Sequence, residues 1–212
     1  MSDSPFRLAV LISGGGRTLL NLHDRIVDES LNAKIDIVVA TRADLPGVDR
    51  AKQRDLPLTV IDPRAYRNQE LKTAEQFHHD LHRAVKNVDL VCMAGFLSLW
   101  RIPDDFTGRV INIHPALLPD FGGKGMYGQR VHEAVIASGK KISGCTVHLC
   151  DNQYDHGPIV LQREVPVLPD DTADALGERV FEQENIAYPE AVSLFVHDRV
   201  RIIDGQVEIA RA

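Results

Sequence analysis

An amide and an imidazole stand two residues apart at the end of a short apolar run. In the stretch "RVINIHPALLP", Asn112 and His114 follow a β-branched pair and precede two prolines. β-Branched residues favour strands and proline ends regular pairing, so both side chains are expected at a strand end. An amide can donate to an oxyanion, and an imidazole can donate to one or carry a proton. The pattern therefore predicts chemistry in which charge develops on an oxygen while a proton moves.

The segment "NQYDHGP" offers Asp155 as a distant carboxylate partner for His114. A carboxylate directed at a histidine raises the histidine pKa and fixes its ring. No serine or cysteine stands in a nucleophile elbow, so direct attack by one substrate on another is expected. The spacing alone favours a different interpretation, in which His114 is a structural hydrogen-bonded residue and Asp155 forms a turn.

A glycine turn in "LISGGGRTLLNL" links an apolar run to a helical pattern. Such a turn brings backbone N–H groups close to an anion, and the helix start favours negative charge. The dinucleotide fingerprint needs a glycine where Leu19 stands, and Thr41 and Arg42 replace the acidic residue that would bind a ribose. The loop is either a monophosphate cradle or a tight turn that needs small residues. The cradle would consist of Gly14, Gly15, Gly16, Arg17 and Thr18.

His78 and His82 stand one helical turn apart in "FHHDLH", which is metal-ligand spacing. No glutamate follows His78, and no third ligand is evident. A solvated helix face is the favoured interpretation, and no metal is predicted.

The elements that must position these residues follow from the apolar pattern. In the first half, apolar runs alternate with helical periodicity, and the last helical stretch, 68–86, carries Leu71, Phe77, Leu81 and Val85 on one face. This alternation predicts an α/β fold with a Rossmann-like, open, mostly parallel sheet flanked by helices. Ligands are expected at the carboxyl ends of the strands. The predicted strands cover residues 8–12, 35–40, 58–61 and 90–93, with a short helix around 48–54.

The second half predicts a C-terminal antiparallel part. Two strands, 145–150 and 159–165, flank the Asp155 loop, and a helix over 129–137 ends at Gly139. A second helix is capped by Asp171 or Thr172, runs to about Asn185 and has Ala175, Leu176, Val180 and Phe181 inward, with Pro189 interrupting or kinking it. The final segment, "RVRIIDGQVEIA", is a hairpin with Asp204 and Gly205 at its turn.

Composition limits the function classes. The chain has 212 residues, 44% hydrophobic and 25% charged, with a net charge of −6. The negative charge argues against nucleic-acid binding, and no apolar run approaches the ~20 residues that span a bilayer. The start shows no signal peptide, and three cysteines without metal spacing fit a reduced, cytoplasmic protein.

Several motifs together carry a family resemblance. "VLISGGGRTLLNL", "VCMAGFLSLW", "INIHPALLP", "GCTVHLCDNQYDHGPIVLQREVPV" and "ERVFEQENIAYPEAV" occur in this order. From Leu8 to about Phe195 the chain resembles the glycinamide ribonucleotide formyltransferases, members of the folate-dependent formyltransferase superfamily. The resemblance implies one domain with a Rossmann-like phosphate-binding half (about 7–112), a folate and catalytic half (about 113–195) and a C-terminal hairpin (196–212).

The resemblance also implies a reaction and residue roles. The glycinamide ribonucleotide amine attacks the formyl carbon of 10-formyltetrahydrofolate, the co-substrate, in purine (IMP) biosynthesis. Asn112 and His114 would stabilise the oxyanion, and Asp155 would assist proton movement. The glycine loop would bind phosphate, and Glu184 would bind ribose hydroxyls. The folate-binding residues would be Leu97, Ser98, Leu99, Trp100, Asn112, Asn152, Gln153, Tyr154 and Asp155.

Three departures from the family pattern concern binding. Arg17 and its neighbours replace the usual loop residues, Ser98 replaces an arginine, and "FGGKGMYGQR" is a longer loop in which Lys124 could supply a charge. Partners would be small molecules, with no nucleic acid or membrane, and the chain would be a monomer or homodimer. The alternatives are a related formyltransferase acting on another acceptor, a formyltetrahydrofolate hydrolase, or a non-catalytic nucleotide- or phosphate-binding module.

Overall fold

The computed structural model describes residues 4–67 and 73–211. The chain divides into two compact units, Met1–Ile111 and Asn112–Ala212, and each unit is described separately below. This division is a property of the fold, and the single-domain organisation with its proposed boundaries stays a prediction.

The first unit contains a parallel sheet of four strands. Their hydrogen-bonded order is β3-β2-β1-β4, and each neighbouring pair runs parallel. The central strand β1 is buried on both faces from Leu8 onward, as expected for a strand covered by helices on each side. The predicted parallel sheet is therefore confirmed. The strands are β1 (Phe6–Ile12), β2 (Ala33–Ala40), β3 (Leu58–Val60) and β4 (Leu90–Met93).

Three α-helices follow the strands of the first unit. The hydroxyl of Thr73 caps the third helix by accepting from Gln76 N–H, and Phe77 and Leu81 face the core as predicted. Leu71, which was expected on the same face, lies outside the described residues. The α-helices are α1 (Arg17–Val27), α2 (Pro46–Lys52) and α3 (Ala74–Val85), with short 3₁₀ helices at Pro63–Tyr66 and Asp104–Phe106.

The second unit combines an antiparallel pair of strands with two helices. Strand β5 (Val110–His114) begins two residues before the division and ends at His114, where the sequence placed a strand end. Strand β6 starts three residues earlier than predicted, and it pairs antiparallel with β7. Helix α4 has its predicted bounds. The remaining ranges are α4 (Gln129–Ala137), β6 (Ile142–Leu149) and β7 (Ile159–Pro166).

The last helix is longer than the sequence indicated. Helix α5 (Ala173–Val196) begins after Thr172, whose hydroxyl accepts from Ala175 N–H, and it continues through Pro189. The predicted end near Asn185 is wrong. Proline removes only one backbone donor, and buried side chains on both sides of Pro189, including Tyr188, hold the helix in place. Ala175, predicted to be inward, is exposed.

The C-terminal hairpin is confirmed. Strands β8 (Val200–Ile203) and β9 (Gln206–Ile209) pair antiparallel around Asp204 and Gly205, which both have positive φ as a two-residue hairpin turn requires. In the described part of the chain, no helix is long and apolar enough to cross a membrane.

Candidate active site

The second unit brings together the three residues of the predicted catalytic trio. Asn112 and His114 lie at the end of β5, and Asp155 lies in the loop between β6 and β7. Nδ2 of Asn112 donates to Oδ1 of Asp155 at 3.4 Å, and Nδ1 of His114 is 3.5 Å from Oδ2. Asp155 also has a φ of +51°, so it does form a turn. The turn and the contact with His114 coexist at this residue.

The hydrogen bonds of His114 assign its protons. Nε2 lies 2.9 Å from the carbonyl oxygen of Phe121, which can only accept, so Nε2 carries a hydrogen. In the neutral ring, Nδ1 then presents its lone pair to the Asp155 carboxylate. Two acceptors that face each other repel, whereas a proton on Nδ1 is stabilised by the carboxylate. The pair is therefore arranged to accept one proton.

Burial and neighbouring charges act in opposite directions on this pair. Burial lowers the pKa of His114 below its ordinary value, and the Asp155 charge and the Phe121 carbonyl oppose this shift without reversing it. Burial raises the pKa of Asp155, but His148, His114 and the Gly123 N–H together lower it by more. Near neutral pH the carboxylate is therefore ionised and the His114 ring is ready to accept a proton.

His148, which the sequence analysis did not select, belongs to the same cluster. Its Nδ1 donates to the Leu149 carbonyl at 2.8 Å, so in the neutral ring Nε2 is an acceptor, and it lies 3.1 Å from Nδ2 of Asn112. The ring is buried on β6 and stands 3.8 Å from Asp155. In the sequence, His148 could have been selected because it is a lone histidine within the apolar run "CTVHLC". His148 fixes the side-chain amide of Asn112.

The two hydrogens of the Asn112 amide nitrogen differ in how firmly they are bound. The bond to His148 is of ordinary length, whereas the 3.4 Å bond to Asp155 is long for a hydrogen bond. The hydrogen directed at Asp155 is therefore the more weakly bound of the two.

The start of the predicted long loop supports the trio. Phe121 supplies the carbonyl that binds His114, and the Gly123 N–H donates to Oδ2 of Asp155 at 2.9 Å. A Cβ on Gly122 would lie 2.6 Å from a Leu118 methyl carbon and 3.1 Å from Cβ of Asp155, so a larger residue there would displace both neighbours. Lys124, from which a substitute charge was expected, is exposed immediately afterwards.

A second histidine that the sequence analysis missed is buried in the second unit. His132 of α4 packs against α5, where a Cβ on Gly177 would lie 3.0 Å from its ring. Burial lowers the pKa of His132, with a smaller contribution from the charge of His114. Its Nδ1 has no hydrogen-bond partner among the described residues.

The predicted phosphate loop lies in the first unit, between β1 and α1. Gly16 precedes α1 with a φ of +72°, a left-handed conformation that favours glycine. The first turn of α1 contains no acidic residue, which leaves its N-terminal dipole available to an anion. Arg17 and Thr18 are the first two residues of this helix. The loop therefore has the geometry of an anion site, and phosphate binding stays a prediction.

The predicted folate wall in the first unit is joined to this loop by Ser13. The Ser13 N–H donates to the Gly95 carbonyl at 3.0 Å, and its hydroxyl accepts from Leu97 N–H at 3.1 Å. Leu97 and Leu99 are exposed, whereas Trp100 is buried. Trp100 exposes only 1% of its surface, and its part in folate binding stays a prediction.

The histidines with metal-ligand spacing hold this segment in place. The His78 carbonyl accepts from the Trp100 indole at 3.3 Å, and its Nδ1 accepts from Arg101 N–H at 3.2 Å. Nε2 of His82 lies 2.9 Å from Asp105. Across residues 4–67 and 73–211, no group of three or more His, Cys, Asp or Glu residues could hold a metal ion.

The remaining predicted binding residues lie in the second unit. Asn152, Gln153 and Tyr154 are exposed in the loop that carries Asp155, and Glu184 is partly buried in α5. Their positions are compatible with ligand contact, and their roles stay predictions.

Comparison with known proteins defines the class. Residues 6–192 match the protein family described as formyl transferase, so the chain belongs to the formyl transferase family. It is similar to the crystal structure of glycinamide ribonucleotide transformylase 1 from Symbiobacterium toebii, with a TM-score of 0.87 and 34% identity. That match covers 99% of this chain and 96% of the other, and it confirms the predicted formyltransferase fold.

Curated relatives show which members of the formyl transferase family the chain is similar to. The chain is 38% identical over 199 residues to the chloroplastic phosphoribosylglycinamide formyltransferase of Arabidopsis thaliana, covering 92% of this chain and 67% of the relative. It is 37% identical to the human trifunctional purine biosynthetic protein adenosine-3, covering 92% of this chain and only 19% of that protein. The resemblance to the glycinamide ribonucleotide formyltransferases, and the prediction of a formyltransferase enzyme, are confirmed.

Proposed function

We propose that this chain transfers a formyl group from 10-formyltetrahydrofolate to the amine of glycinamide ribonucleotide. The observation that carries the proposal is the convergence of Asn112, His114 and Asp155 at the end of β5. This cluster combines an amide donor, a proton acceptor and a carboxylate. The proposed reaction needs each of these groups.

The amide of Asn112 and the ring of His114 stabilise the oxyanion. When the substrate amine bonds to the formyl carbon, the carbonyl oxygen takes up the negative charge. The Asn112 hydrogen that makes the long bond to Asp155 is the one donated to this oxygen, while His148 keeps the amide oriented. Once His114 has taken up the amine proton, its positive charge adds to this stabilisation.

The His114–Asp155 pair handles the proton. The attacking amine becomes acidic once its nitrogen has bonded to carbon, and its proton passes to the pair, directly or through water. The carboxylate stabilises the resulting imidazolium across the 3.5 Å contact. Cleavage of the bond between the formyl carbon and the folate nitrogen leaves a basic nitrogen, which takes the proton. The pair returns to its starting state.

Substrate binding is proposed for residues of each unit, taken separately. The loop Gly14–Thr18 binds the phosphate through backbone N–H groups and Arg17, and Glu184 accepts from the ribose hydroxyls. For folate, the first unit is proposed to supply the backbone of residues 97–100, and the second unit is proposed to supply Asn112 and the backbone of residues 152–155. Ser98 provides no cation for the folate glutamate, and the exposed Lys124 is proposed to supply one.

The partners, the cellular location and the oligomeric state are also proposed. Both substrates are small molecules, and the net charge of −6 disfavours nucleic acid. We propose a cytoplasmic enzyme that acts as a monomer or homodimer in purine biosynthesis.

A formyl-transfer assay tests the proposed function. The purified chain is mixed with glycinamide ribonucleotide and 10-formyltetrahydrofolate, and formation of tetrahydrofolate is compared with and without the amine. Amine-dependent turnover supports the proposal. Turnover that is independent of the amine would indicate a hydrolase, and a folded chain without turnover would indicate a binding module.

A further inference from the structure

Arg50 of α2 contacts the glycine loop, although no sequence motif identified it as a functional residue. Its guanidinium Nη1 donates to the carbonyl oxygen of Gly15. A Cβ built on Gly15 would lie 3.4 Å from the same nitrogen. We infer that Arg50 is a positioning residue for the phosphate: it holds the Gly15 carbonyl away from the bound anion and adds a positive charge to the loop. This inference rests on the proposed function, because it names a residue that prepares the proposed phosphate site.

The contact between Arg50 and the Gly15 carbonyl fixes the orientation of the peptide group between Gly15 and Gly16. In a planar trans peptide the C=O and the following N–H point in opposite directions. Arg50 binds the carbonyl of Gly15, so the N–H of Gly16 is directed to the other side of the peptide. A carbonyl oxygen facing a phosphate would repel it, whereas an N–H group attracts it. The arginine therefore selects the peptide orientation that suits an anion.

Close packing of α2 against the loop places Arg50 there. The Gly47 N–H donates to the Gly14 carbonyl at 3.2 Å. A Cβ on Gly47 would lie 2.8 Å from that carbonyl oxygen and 3.2 Å from the Gly16 nitrogen, so no larger residue fits. Residues three apart share a helix face, which brings Arg50 to the loop directly beyond Gly47.

The charge of Arg50 is not neutralised within the described residues. Its guanidinium makes no ion pair there, and its hydrogen-bond contact is a neutral carbonyl. Arg42, at the end of β2, is paired with Asp44 at 3.0 Å instead. Hydrogen bonds that involve an ionised group are about twice as strong as neutral ones. The loop therefore has a firmly held carbonyl and a nearby uncompensated positive charge.

The test compares Arg50→Ala and Arg50→Lys with two other arginine variants. Arg17→Ala alters the proposed phosphate loop itself, and Arg25→Ala removes an exposed charge from the last turn of α1, away from the loop. We expect Arg50→Ala to raise the KM for glycinamide ribonucleotide roughly tenfold or more, the effect of losing one charge-assisted bond. The kcat and the folate KM should change less than about threefold, since the reacting carbon is remote from the phosphate. Arg50→Lys should recover part of the loss, and Arg25→Ala should resemble the wild type.

A second measurement does not depend on turnover. Inorganic phosphate should raise the melting temperature of the wild type and of Arg25→Ala, and this increase should shrink in Arg50→Ala. An unchanged substrate KM and unchanged phosphate stabilisation in Arg50→Ala would overturn the inference and leave the proposed function standing if Arg17→Ala still raises that KM. Equal increases in both substrate KM values would also overturn it, because they would indicate general loop damage. If the wild type lacks turnover, the proposed function fails and the phosphate measurement alone decides on Arg50.

Discussion

Nδ2 of Asn112 lies 3.1 Å from Nε2 of His148, so a buried ring on β6 orients the amide at the end of β5. The His148 ring is itself fixed, because its other nitrogen donates to the Leu149 carbonyl. The direction of the Asn112 amide is thereby set before a substrate arrives.

We expect His148→Ala to lower kcat by roughly 10- to 100-fold, since a misplaced catalytic group can cost about 10²-fold. The KM for the phosphorylated amine should change little, because His148 contacts Asn112 and not the phosphate loop. His148→Gln retains an acceptor side chain and should recover part of the rate. Steady-state kinetics of the three proteins checks this, and a wild-type kcat in His148→Ala would show that Asn112 needs no partner.

Replacement of His114 tests the proton acceptor. The ring is only 3% exposed, so His114→Gln is preferred to alanine because it leaves less empty space. Loss of general acid–base help should lower kcat by about 10²–10⁴-fold in a folded protein. His156→Gln, an exposed histidine paired with Asp151, is the control and should stay active. Near-normal kcat in folded His114→Gln would contradict the assigned chemistry.

The Asp155→Asn variant distinguishes the role of Asp155 in the turn from the role of its negative charge. Asparagine tolerates the φ of +51° and can still accept from the Gly123 N–H, so the loop should survive. The Asp155 charge raises the His114 pKa against the lowering by burial, so its loss should lower that pKa further. The limb of the pH–rate profile that reports His114 should therefore move to lower pH, with kcat reduced about 10²–10⁴-fold.

Asp151→Asn is the matched control for Asp155→Asn. Asp151 lies in the same loop and accepts from Gln153 N–H and His156, outside the trio. It should keep the wild-type pH–rate profile. A wild-type profile in Asp155→Asn as well would leave the turn as the sole role of Asp155.

The Asp171–Arg179 pair predicts a pH-dependent contribution to stability. Asp171 accepts two bonds from Arg179, at 2.7 and 2.8 Å, and one from Leu168 N–H. The Arg179 bonds are the main cause that lowers the Asp171 pKa from 3.8 to about 2. Because the folded pKa is depressed, the stabilisation is complete above the unfolded pKa and is lost as pH falls from about 4 to about 2.

Asp171→Asn should accordingly lower the free energy of unfolding by about 1–2 kcal/mol near neutral pH. The difference from the wild type should shrink below pH 4, as urea titrations at several pH values would reveal. Asp198→Asn removes a similar partner of Arg201, but that carboxylate is 88% exposed, so no measurable change is expected. A pH-independent difference for Asp171→Asn would refute the electrostatic account.

The sequence predicted the strands of the parallel sheet well. It failed where contacts between residues distant in the chain determine the end of an element. Continuous apolar runs identified β1 and β4 because strands buried on both faces have little choice of residue. The end of α5 was missed because local rules treat Pro189 as a stop, whereas burial of neighbouring residues overrides them.

Prediction of the candidate site from sequence was limited in the same way. Asn112 and His114 were found because a strand end followed by proline is a local signal. His148 and Arg50 act through contacts 36 and 35 residues away along the chain, with Asn112 and Gly15 respectively. No periodicity or short motif encodes such contacts. The family resemblance supplied Asp155, whose spacing alone favoured a turn.

Ser13 makes two hydrogen bonds to residues 95–97, one from its N–H and one to its hydroxyl. A ligand that orders the glycine loop would thus also order the proposed folate wall, and the second ligand would lose less entropy on binding. By linkage, each substrate should then increase the affinity for the other by the same factor. Positive cooperativity between two chemically different molecules would then depend on the two hydrogen bonds of one serine.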